Sequence, residues 1–122
     1  MAYEVPGFVF TAKWEGGSDT TADDLDRFMA VIVTSNGLDF PGSTGDRIDG
    51  VVQMKCEENR AEVVRVMRSG ITKGIAHGTI NAGSAVKARD DGKFEETSTQ
   101  ADMVGKALEG AGADGEAAIL LY

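Results

Sequence analysis

Apolar and polar positions alternate in short runs along this chain, and glycines separate the runs. VFTAKW, residues 9–14, alternates from Val9 to Trp14 and predicts a short strand. FMAVIVT, residues 28–34, is rich in β-branched side chains and predicts another. Residues 51–55 and 61–67 predict a strand and its return, with a polar turn at residues 57–60. Residues 71–75 and 79–80 are short extended pieces set around Gly74 and Gly78. Residues 84–88 run into Asp90, Asp91 and Gly92, a turn sequence that predicts a hairpin with residues 93–96. Residues 98–102 read as a polar connection. The last two strands, residues 104–108 and 117–121, flank the loop 110–116.

Eight or so short strands joined by glycine turns predict an all-β fold, a small β-barrel or β-sandwich. Thr21 with Asp24 three residues on resembles a helix-capping pattern, so at most one short helix is expected, over residues 21–26. Residues 21–122 read as a single β-rich domain. Residues 1–20 read as an extended N-terminal arm, because Pro6, Gly7 and the GGS at residues 16–18 interrupt any long element. Tyr3, Phe8, Phe10 and Trp14 place four aromatics in the first 14 residues, and such side chains must pack on this domain or on a partner.

Composition sharpens this picture. The chain has 122 residues, the size of one domain with a modest core. Its 16 glycines are roughly twice the average usage of about 7%, with no collagen period, and so point to tight turns. The net charge of −8 opposes a phosphate backbone and argues against nucleic acid as a partner. The charge is segregated: residues 1–49 carry −6, residues 50–89 carry +4 and residues 90–122 carry −6. Two readings stand: ordinary charge alternation on solvated strand faces, or pairing of the basic middle with its acidic flanks within one molecule or between molecules. A single cysteine, Cys56, excludes an internal disulfide. No signal peptide is visible and no apolar run reaches 18 residues, so a soluble protein with no membrane partner is expected.

Candidate chemistry dissolves on inspection of its spacing. GAGADG, residues 110–115, has the three glycines of a dinucleotide fingerprint, but that pattern serves between a strand and a helix, and only strand-like residues follow. It reads as a hairpin loop. Asp19, Asp23, Asp24 and Asp26 lack the alternate spacing, central glycine and twelfth-position glutamate of a calcium loop. His77 is the only histidine, sits between glycines and has no second histidine as a metal co-ligand. No Ser-His-Asp order or pair of carboxylates is apparent. The expectation is a protein with no catalytic residues, metal or cofactor, which works by its surface.

Four phrases together carry a family resemblance: GVVQMK at residues 50–55, GITKGIA at 70–76, INAGSAVKARDDGKF at 80–94 and VGKALEGAGADGEAAILLY at 104–122. In order and spacing they resemble the small head-decoration, or capsid cement, proteins of tailed bacteriophages. That family shows a Gly-Val-hydrophobic-Gln run, a strand ending in a Gly-Ile-x-Lys turn, a glycine step into a hairpin, and a final Gly-x-Ala-Leu strand. Cys56 departs from the pattern, standing where a proline often follows the lysine, and residues 1–49 do not match. The resemblance implies a β-rich, non-enzymatic virion protein. It implies binding to the major capsid protein on the outer surface of the expanded head, often as a homotrimer, after assembly in the host cytoplasm. The expected capsid-binding residues are the aromatics Tyr3, Phe8, Phe10 and Trp14, for which a core role is equally open. The bases Arg65, Arg68 and Lys73 are set to meet acidic capsid loops. The alternative is a particle-displayed β module that binds carbohydrate or a host surface, for which Trp14 with Asp19 and Asp24 is the candidate cluster.

Overall fold

The computed structural model describes residues 5–6, 9–13, 28–35, 37–54 and 63–122, with residues 5–6, 9–13, 54, 63 and 64 described by backbone alone. The described residues form an all-β fold. Its first five strands are β1 (Val5–Pro6), β2 (Val9–Lys13), β3 (Ala30–Thr34), β4 (Gly37–Asp39) and β5 (Gly50–Met54). Then come β6 (Val63–Met67), β7 (Gly70–Ile75), β8 (Ala85–Ala88), β9 (Phe94–Glu96), β10 (Gly105–Glu109) and β11 (Glu116–Leu121). A 3-10 helix, Gln100–Asp102, lies in the connection before β10. The helix expected at residues 21–26 lies outside the described residues. No helix among those described is long and apolar enough to cross a membrane. Strands β1 and β4 fall where the sequence shows no strand pattern, because two and three residues are too few for alternation to register.

The strands make two antiparallel sheets, neither closed into a barrel, so the barrel form of the expectation does not hold. One has six strands in the order β1-β7-β11-β10-β8-β9, the other five in the order β2-β6-β5-β3-β4. Consecutive strands β6 and β7 belong to different sheets, and only Arg68 and Ser69 lie between them. Gly70 makes the corner with φ of 114°, a conformation that favours glycine. The N-terminal stretch follows the same corner. β1 pairs with β7 at Val5↔Ile71 and Pro6↔Gly70, and β2 pairs with β6 from Val9↔Met67 to Lys13↔Val63. At these residues the expected arm is the edge strand of both sheets.

The packing explains the two-sheet arrangement. Ala30, Val51 and Met67 of the five-stranded sheet share one core with Val86, Phe94, Ala107, Ala117 and Ile119 of the six-stranded sheet. Burial of a Phe or Ile side chain contributes about 1.5–3 kcal/mol, so this row dominates the stability. The alternate residues Val31, Val52 and Val66, with Leu38, form a second core. Strands β3, β5 and β6 are thus buried on both faces. The geometry allows this because β2 and β4, the two edges of the five-stranded sheet, come within 8 Å of each other. Thr72 is the buried polar side chain at the junction of the sheets: its hydroxyl accepts a hydrogen bond from Gln53 Nε2 (2.7 Å) and donates to the Lys73 carbonyl (2.9 Å).

The turns follow the sequence closely. Gly92 closes the β8–β9 hairpin with φ of 85°, and its N–H donates to the Arg89 carbonyl (3.0 Å). The GAGADG segment is the β10–β11 loop, with Asp114 at φ of 62° and Gly115 N–H donating to the Gly112 carbonyl (2.9 Å). Backbone bonds from Ile80 to Ala111 and from Asp114 to Ala76 tie that loop to the body of the protein.

Candidate interaction surface

Among the described residues, four bases of the segment 50–89 are paired within the molecule. Bases of the middle segment meet acids of both flanks: Arg68 with Asp49 (3.7 Å), Lys73 with Glu116 (3.9 Å), Lys87 with Glu95 (3.7 Å) and Arg89 with Glu95 (3.3 Å). Lys93 Nζ donates to Asp114 Oδ1 at 2.9 Å. This contact holds the Asp114 carboxyl below the usual carboxylate range and raises the Lys93 amine. Glu96 is held low by the Ser84 hydroxyl (2.6 Å) and then by the Asn81 N–H (2.9 Å), which together pin the turn before β8.

Of the expected capsid-binding residues, Phe10, Arg65, Arg68 and Lys73 are among the described residues. Tyr3, Phe8 and Trp14 lie outside the described residues, as do Asp19 and Asp24 of the carbohydrate-binding alternative. Phe10 occupies the register position opposite Val66, a residue of the second core. Arg65 is exposed on β6. Lys73 is on β7, its amine 5.4 Å from the centre of the Phe28 ring as well as beside Glu116, so it serves the sheet junction. Arg68 stands at the corner between the sheets and lines a cavity.

That cavity is an open groove of about 980 Å³ at one end of the molecule. The loop from Gly45 to Asp49, the Arg68 corner, the 3-10 helix and the end of β11 build its walls. Gly45 permits this meeting: its φ is 93°, its N–H donates to the Ala88 carbonyl (2.9 Å), and a Cβ there would lie 3.1 Å from Asp102 Cγ. Arg47 is exposed at the groove and has no ion-pair partner among the described residues. Asp49 is half-buried, with Oδ2 accepting the Val33 N–H at 2.7 Å. Met103 and Tyr122 add apolar surface, and Tyr122 is 67% exposed. Arg47, Met103 and Tyr122 were not among the residues expected from sequence. No spacing signals them, because they come from three separate segments.

The opposite end has another character. There the loops carry Gly78, Gly83 and Gly112, where a Cβ would meet nothing within 4 Å, together with Asn81 and Ala82. It offers small polar groups in tight turns, while the groove end offers arginine, methionine and tyrosine. Those three residue types are enriched in protein interfaces.

No protein-family model matches this chain, and no curated protein matches it. Among solved structures it is similar to the crystal structure of the head fiber gp8.5 N base in bacteriophage phi29. The TM-score is 0.71 over 94% of this chain and 93% of that one, at 14% sequence identity. At that identity the likeness is one of fold, and it extends through both sheets. The chain therefore has the fold of a bacteriophage head-fiber base.

Proposed function

We propose that this protein is a non-enzymatic decoration protein of a bacteriophage head. It binds the outer surface of the expanded shell and stabilises it by bridging neighbouring major capsid subunits, as a homotrimer. The observation that carries this reading is the fold likeness to a head-fiber base over nearly the full length of both chains. The short decoration-protein phrases within residues 50–122 point the same way.

The physical character of the molecule suits the role. The polar side chains at the groove are guanidinium, carboxylate, hydroxyl and amide groups, which adhere by charge and hydrogen bond. A trimer multiplies a weak contact, because the second and third contacts become intramolecular. A net charge of −8 keeps decorated particles apart in solution.

The test is to mix purified protein with expanded heads that lack it and to count copies retained per particle. Saturable binding is expected, along with DNA release at a higher temperature from decorated heads. Heads that retain no protein at saturating concentration reject the reading. Sedimentation separately tests the trimer, and a monomer that still saturates heads removes only that part.

A further inference from the structure

We propose that the groove between the Gly45–Asp49 loop, the Arg68 corner and the 3-10 helix is the head-facing surface, and that a carboxylate-bearing segment of the shell docks there. Arg47 and Arg68 are its charge partners, and Met103 and Tyr122 form its apolar rim. This rests on the head-decoration reading and names the partner chemistry and the end of the molecule that makes the contact.

Charge complementarity selects the occupant. The chain is acidic overall, so most of its surface repels an acidic partner. The groove is a local exception in what it presents outward. Arg47 is exposed and has no acid partner among the described residues. Arg68 is paired with Asp49 at 3.7 Å, but the two side chains are 59% and 40% exposed, and such surface pairs are worth little. Exchange of Asp49 for an incoming carboxylate therefore costs Arg68 almost nothing. Asp49 meanwhile stays held by the Val33 N–H, and Asp102 stands against Gly45. Arg47 and Arg68 are exposed at the groove, while Asp49 and Asp102 are half-buried.

Shape and position agree with this. An extended loop fits an open groove of about 980 Å³, and a guanidinium fork grips a carboxylate with two parallel bonds. The repulsion from the rest of the surface then fixes which end faces the shell. The Gly, Ala and Asn turns at the far end remain outward.

The test uses the full-length chain and expanded heads lacking the protein. R47A/R68A removes two positive charges, and K106E makes the same net change at an exposed position on β10, outside the groove. R47A/R68A is expected to weaken head binding by about tenfold or more, and K106E by no more than about twofold. Thermal melts of all three proteins should coincide. Wild-type affinity should also fall as salt is raised. Equal affinity of R47A/R68A and wild type overturns the groove, as does an equal loss in K106E or a wild-type affinity insensitive to salt. Failure of the wild type itself to bind heads overturns the head-decoration reading, a different result from any of these.

Discussion

The ring of Phe94 lies in the space that a side chain at Gly74 would need: a Cβ there would fall 2.8 Å from Phe94 Cδ2 and 2.5 Å from Ile119 Cδ1. Gly74 is on β7 and Phe94 on β9, at opposite sides of the six-stranded sheet order, yet an Ala76↔Phe94 bridge brings them together. Phe94 is among the largest fully buried side chains, so the missing Cβ is a condition for the core. Gly74→Ala is expected to cost about 1–3 kcal/mol, the usual range for overpacking, read as a lower urea midpoint. Gly78→Ala, four residues on with nothing within 4 Å, is the control and should leave the midpoint within experimental scatter.

Thr72 sets the second prediction. Its buried hydroxyl links Gln53 of the five-stranded sheet to the β7 backbone of the other. Thr72→Val keeps the shape but leaves the Gln53 amide with the Val51 carbonyl (3.0 Å) as its acceptor, so a loss of about 0.5–1.5 kcal/mol is expected in chemical denaturation. Gln53→Met combined with Thr72→Val removes both polar partners and should lose less than Thr72→Val alone.

The Lys93–Asp114 pair makes stability depend on pH in a defined direction. Asp114 has a folded pKa below its unfolded value. Its contribution is therefore present above the ordinary carboxylate pKa and is lost as pH falls through the depressed folded value. Lys93 has a raised folded pKa, so its share is present below the ordinary lysine value and is lost as pH rises through the raised one. Between these limits Asp114→Asn should melt below wild type. The difference should shrink towards zero as the carboxylate range is crossed downwards, when melts are compared across pH.

Glu95 bridges Lys87 and Arg89, with Arg89 also 3.4 Å from Asp91. Glu95→Gln breaks this chain of charges on the β8–β9 hairpin. A lower Tm is expected at low salt, and the gap to wild type should narrow above about 0.5 M salt, where screening acts within a few ångströms. A salt-independent gap would assign Glu95 a packing role instead.

Much of the fold was legible because it is local. The Asp90-Asp91-Gly92 turn appears as a hairpin, and Gly92 takes the positive φ that such a turn asks for. GAGADG reads as a loop because strand-like residues follow it, and it is one. The sequence around Arg68, Ser69 and Gly70 shows only a break between strands. Nothing local says that β6 and β7 go to different sheets, since their pairing partners in the N-terminal stretch, Val9 and Pro6, are far away in the chain. The doubly buried β3, β5 and β6 were equally hidden, because runs such as AVIV and GVV carry apolar groups on both faces whichever partner covers them.

The candidate surface was less legible, for the same reason. Arg68 was singled out, while Arg47, Met103 and Tyr122 join it only when three distant segments meet. Lys73, singled out with Arg68, is drawn to Phe28 and Glu116. The order of residues was enough to set the all-β class, the turns and the segregation of charge, because propensity, glycine conformation and side-chain ionisation act over a few residues. Which strands share a sheet, which bases are already paired and where a groove opens were settled by packing in three dimensions, because those outcomes depend on contacts between residues far apart in the chain.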